Sequence, residues 1–130
     1  MATVNDQRPD LAAYEQALRL DGQVLAKELR DLLGVRLVAY LTGVSETRAV
    51  HQWAEGSRHP RGETVERLRL AYQVTHTLLH RDAAAVAQAW WQGLNPRLDD
   101  RSPARLVREG DLGEVGPAVL AAARAFAAGA

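Results

Sequence analysis

Residues 38–60, VAYLTGVSETRAVHQWAEGSRHP, spell two short helices joined by a tight turn. Val38, Ala39 and Leu41 give the first helix an apolar side. Gly43 is placed to end it, because glycine alone takes the left-handed turn conformation without steric cost. Ser45 is a good N-cap for the following helix, and its hydroxyl is also able to serve a backbone contact. Ala49, Val50 and Trp53 then form one apolar face at helical spacing. Gly56 stops this second helix, and Pro60 keeps the chain out of helix soon afterwards. Two helices and a turn in this arrangement make a helix-turn-helix, a motif whose second helix lies in the DNA major groove.

Working outward, the chain has 130 residues, enough for one domain or two small helical subdomains. Nearly half are hydrophobic, but aromatics are few and alanine supplies much of the apolar content. Alanine lets helices approach closely while burying little area, so completion of the core by homodimerisation is expected. There is no cysteine, which excludes disulfides and thiolate metal sites. No apolar run approaches the roughly 20 residues that span a bilayer. The N-terminus, MATVNDQRPDL, lacks the form of a signal peptide, and a cytoplasmic protein is expected.

Sixteen basic and sixteen acidic residues cancel. Their distribution is uneven. Residues 36–69 hold six arginines against four glutamates, an excess of +2, whereas residues 1–35 hold four basic against six acidic residues, −2. The positive excess therefore falls on the helix-turn-helix, but it is modest. Weak, salt-sensitive binding per monomer and paired half-sites follow.

Before the motif, Asp10 is placed to cap a helix to about Leu20 with Leu11, Tyr14 and Leu18 on its apolar side, and Gln23 to Leu33 forms a second helix. Residues 1–35 are expected to be scaffold or a dimer contact, residues 36–80 the helix-turn-helix domain, and residues 81–130 a small C-terminal helical domain, all of it α-helical. After the motif, Arg58 and Arg61 sit in a loop beside which a phosphate backbone is able to pass. A long helix from Glu63 or Thr64 to about His80 presents Val65, Leu68, Tyr72, Thr75 and Leu79 to the core, with Glu66, Arg67 and Arg69 towards water. His76 and His80 are spaced four apart, but the remainder of a metal set is missing.

Asp82 is expected to cap the helix that carries Trp90 and Trp91. Adjacent residues do not share one helix face, so one of these two rings is expected near the surface, unless other helices cover both. Ser102 followed by Pro103 reads as the start of a short helix. Gly116-Pro117 marks a start or a kink in the last helix, whose narrow apolar stripe is Val119, Ala122, Ala123 and Phe126. Neither a nucleophile–base pairing nor a glycine-rich phosphate loop is present, so an enzyme and a cofactor are not expected.

Ala39, Gly43-Val44-Ser45, Trp53, Gly56 and Pro60 resemble the Xre-type helix-turn-helix, although the interval from Gly43 to Trp53 is about one residue longer than in that pattern. From Ala87 to Gly129 the order of a Trp-bearing helix, Asn95-Pro96, Ser102-Pro103 with Leu106, and Gly110 looks like the C-terminal domain of the Xre/MbcA/ParS antitoxins. The resemblance implies a DNA-binding antitoxin that represses its own operon on double-stranded operator DNA. It also implies that the C-terminal half binds a RES-domain toxin, which consumes NAD. The DNA-facing residues would be Ser45, Thr47, Arg48, His51 and Gln52, supported by Arg58 and Arg61. Trp91, Asn95, Arg108 and Phe126 would serve the partner, with Arg108 and the terminal helix the better placed for contact. The alternative is a stand-alone helix-turn-helix regulator that uses its C-terminal half for dimerisation or another protein.

Overall fold

The computed structural model describes residues 8–129 and is all-α. In chain order the helices are Pro9–Arg19 (α1), Gly22–Leu33 (α2), Val35–Thr42 (α3), Thr47–Glu55 (α4), Glu63–Leu79 (α5), Ala84–Gln92 (α6), Pro103–Glu109 (α7) and Leu112–Ala127 (α8), with a 3-10 turn at Pro96–Leu98. Long α5 is the hub. It packs against α1, α2, α3, α6 and α8, and α4 is held between α2 and α3. One buried cluster runs from Ala17 through Trp53, Leu68 and Trp91 to Ala123, so residues 1–35, 36–80 and 81–130 all contribute to the same core.

Several ends follow local sequence rules. Asp21, Ser102 and Asp111 accept hydrogen bonds from backbone N–H groups at the starts of α2, α7 and α8. Pro103 takes the first position of α7, where its missing N–H costs nothing. Pro117 lies inside α8 rather than opening it, so Gly116-Pro117 marks no start; the helix begins with its Asp111 cap.

Other ends do not. Asp10 lies inside the first turn of α1 instead of capping it, and Asp82 caps nothing: the N-cap of α6 is Ala83. Asp10 is buried and paired with Arg8 at 3.1 Å and Arg124 at 3.5 Å, tying the first helix to the last. Burial alone would raise its carboxyl, but the Arg8 hydrogen bond and the charges of Arg8 and Arg124 hold it below the usual range.

Helix α1 also turns a different side to the core from the expected one. Ala13 and Ala17 are buried, while Tyr14 is 47% and Leu18 57% exposed. The small residues let α1 lie close on α5, and the large ones are left outside. Arg67 and Arg69 are equally misplaced by the expectation that they face water. Arg67 donates to the Val107 carbonyl at 3.1 Å, and Arg69 to the Ala17 and Leu20 carbonyls at 2.7 Å each.

Both tryptophans are buried, correcting the expectation that one is near the surface. Their rings meet edge to face with centroids 5.5 Å apart. They escape the one-face limit by entering different contacts. Trp91 is fully enclosed and its indole N–H donates to Thr75 Oγ1 at 3.0 Å, while Trp90 lies against α8 beside Ala122 and Phe126.

Among the described residues no cluster of three or more side chains able to hold a metal exists, and His76 belongs to none. Its ring instead stacks on Tyr72 at 4.1 Å, and Nε2 is 3.9 Å from Glu28, too long for a hydrogen bond. Burial raises Tyr72 to about 12, helped by the Glu28 charge and hydrogen bond. Burial pushes the His76 imidazole below its ordinary value of 6.5, and the Glu28 charge offsets only part of this.

The folded protein therefore holds the His76 proton less tightly than the unfolded chain does. As pH falls through 6.5 the unfolded chain takes up that proton first, so stability falls, and the loss is complete below the lowered folded value. Asp10 acts in a separate, more acidic window, below the ordinary carboxylate value of 3.8. Urea unfolding between about pH 7.5 and 5.5 should show wild type losing stability more steeply than His76→Gln. Parallel profiles would mean that His76 does not control this window.

Candidate nucleic-acid interface

Helix α3 ends in a tight knot. Gly43 sits at φ 79°, a conformation that disfavours any side chain, and Val44 N–H returns to the Ala39 carbonyl at 3.2 Å. The chain then crosses Val44, Ser45 and Glu46 before α4 begins at Thr47. The N-cap of α4 is Glu46, and no side chain caps it. The expectation that Ser45 caps this helix is thus corrected: Ser45 lies exposed in the connection, two residues before the first helical position. The start at Thr47 leaves Arg48, His51 and Glu55 on the open face.

Behind that face, Val50, Trp53 and Ala54 are buried against α2 and α3. Their spacing puts them on one side of α4, and their burial fixes which side faces water. Arg48 and His51 are exposed, while Thr47 and Gln52 are half-buried at the edges. At the far end, the carbonyl of Gln52 accepts from the N–H groups of Ser57 and Arg58 at 3.1 and 3.3 Å, which turns the chain sharply into the next loop.

That loop is anchored. A Cβ on Gly22, at the start of α2, would come within 2.7 Å of Pro60 Cγ, so the absence of a side chain there lets Pro60 dock. Arg58, His59 and Arg61 flank this anchor and are exposed. Together with Val44 and Trp53 they line an open groove beside α4. Among the described residues Arg48, Arg58 and Arg61 enter no salt bridge. Cations without carboxylate partners, on one side of an exposed helix, are able to meet phosphates without first breaking an ion pair.

One neighbour escaped sequence reasoning. Arg30, on α2, places Nη1 3.3 Å from His51 Nδ1. Nothing in the sequence signals this contact, since the two residues are on different helices and meet only through packing.

The four residues assigned to a partner divide. Trp91 is enclosed in the core and does not contact a partner in this fold. Asn95 is a cap: its side chain accepts from Arg97 N–H at 2.9 Å, and its backbone bridges to Arg101. Arg108 is engaged within the chain. It donates to the Tyr40 carbonyl at 2.9 Å and sits 4.7 Å from the centre of the Tyr40 ring. Phe126 is 39% exposed and does face outward. With Val86, Trp90 and Leu94, the last 76% exposed, it lines an apolar groove between α6, the 3-10 turn and α8. Val86 shares the Trp90 stripe that the helical spacing marks, whereas Leu94, in the turn, belongs to this surface with no sequence signal.

Comparisons of the chain with protein-family models, with curated proteins and with solved structures return no match. Among the described residues no helix is long and apolar enough to cross a membrane.

Arg108 joins α7 to the end of α3 through a charge-assisted hydrogen bond and a cation–π contact. Arg108→Met should lower the unfolding free energy by about 1–2 kcal/mol, seen as a shifted urea midpoint at unchanged slope. An unmoved midpoint would show that the contact carries no net stability.

Proposed function

We propose that the chain is a DNA-binding regulator of the antitoxin type, which places α4 in the major groove and docks a protein partner on its C-terminal half. The observation that carries the DNA reading is the two-sided character of α4. Trp53 and Val50 hold it from behind, and Arg48 and His51 project from its exposed side. Arg48 is the base reader, able to pair bidentately with guanine, and Gln52 at the edge of the face suits adenine. Thr47 and Ser45 lie at the end that enters the groove and serve phosphate or base edges. Arg58 and Arg61 take the flanking phosphate backbone. Glu46 and Glu55 temper the positive charge, so one copy binds weakly and two copies on paired half-sites supply the affinity.

The partner reading has a support of its own. The groove lined by Val86, Trp90, Leu94 and Phe126 leaves large apolar side chains uncovered, and such patches mark protein contacts. That the partner is a RES-domain toxin rests on the resemblance of residues 87–129 alone. A stand-alone regulator would use the same groove for a second copy or another protein.

The test of the DNA reading is selection from a random duplex library, followed by binding at fixed salt. Arg48→Ala should weaken the selected site by about 1–3 kcal/mol more than unrelated DNA. Arg61→Ala should weaken both alike and reduce the salt slope by about one. Affinities unmoved by either change would remove α4 and its loop from the interface.

For the partner reading, co-expression with the product of the adjacent gene should yield a complex that Phe126→Asp disrupts while leaving DNA binding intact. A complex indifferent to Phe126→Asp would place the contact elsewhere.

A further inference from the structure

Resting on the DNA reading above, we propose that Arg30 locks His51 in its Nε2–H tautomer, so that α4 offers DNA a fixed imidazole donor that reads an acceptor edge and rejects cytosine. The argument begins with the 3.3 Å contact between Arg30 Nη1 and His51 Nδ1. A guanidinium carries only donors. The imidazole nitrogen facing it must accept, and in a neutral ring the proton then resides on the other nitrogen. That other nitrogen, Nε2, belongs to an exposed side chain on the same face as Arg48, one helical turn away. Arg30 is itself steadied, with its side chain only 23% exposed and Nε 3.5 Å from Asp31.

The chemical consequence is discrimination. In the major groove N7 of either purine, O6 of guanine and O4 of thymine accept hydrogen bonds, whereas cytosine presents only an amino donor. A ring fixed as a donor pairs with N7, O6 or O4 and meets a cytosine amino group donor to donor. A ring free to exchange tautomers would accept from that amino group and lose the distinction. Arg30 thus acts as a positioning residue that contributes specificity without touching DNA.

Two measurements on the full chain test this. The first is nitrogen-15 NMR of the His51 ring at about pH 8, where an ordinary imidazole is neutral. Wild type and Arg30→Lys should show a protonated Nε2 and a bare Nδ1, and Arg30→Met a mixture of both tautomers. A proton on Nδ1 in wild type, or no change in Arg30→Met, overturns the lock while leaving the DNA reading standing.

The second is selection from a random duplex library. Wild type should exclude cytosine at one position of the site, and His51→Ala should flatten that position alone, by about three- to tenfold. Arg30→Met should flatten it in part and Arg30→Lys restore it. A selected site indifferent to His51→Ala overturns the inference with the DNA reading intact. Failure of wild type to enrich any sequence overturns both.

Discussion

A helix leaves its last carbonyls without partners, and a fold made of short helices has many such ends to satisfy. Here side chains from neighbouring helices do it. The α1 end is bound by Arg69, α2 by Gln88, α3 by Arg108, α4 by Gln23 and α7 by Arg67. Cationic and amide donors suit the negative end of the helix dipole, so each contact caps a helix and positions two helices at once. The alanine-rich core gives close approach but little buried area per residue, which increases the relative weight of these polar ties.

The ties converge on the candidate interface. Gln23 reaches the end of α4, Arg108 the end of α3, and Gly22 admits Pro60 of the loop that follows α4. The helix pair and its cationic loop are therefore braced from α2 on one side and from α7 on the other. In the proposed regulator, a partner settling near Phe126 would lie against α8 and α6, both of which pack on the long α5. From that groove α3 is reached through α7, which carries Arg108, and through α5, which packs directly on α3.

Much of the candidate site was legible because its signals are local. Gly43 and Gly56 end helices through backbone conformations that one residue type favours, and both stand where the sequence places them. Ala49, Val50 and Trp53 define the inner side of α4, which makes Arg48 and His51 outer by subtraction. Ser45 was misread because a good capping residue is not obliged to cap: the connection runs on through Glu46 before helical geometry begins. Trp91, Asn95 and Arg108 make contacts within the fold, and a large aromatic, an amide and an arginine look alike in sequence whether they serve the fold or a neighbour. Arg30 beside His51, and Leu94 beside Phe126, carried no signal at all.

The sequence by itself determined the helical class, the positions of the breaks and the inner side of each strongly patterned helix, because caps, turns and periodicity act within a few residues. It left open which apolar stripe of α1 turns inward, whether two adjacent tryptophans are both covered, and where the arginines point. Only the tertiary structure decided those. Whether Tyr14 or Ala13 is buried depends on how close α5 lies, and whether an arginine meets water or a carbonyl depends on whose helix end stops beside it. Such choices are made between segments far apart in the chain, by steric fit and by the need of each buried polar group for a partner, and no local pattern encodes them.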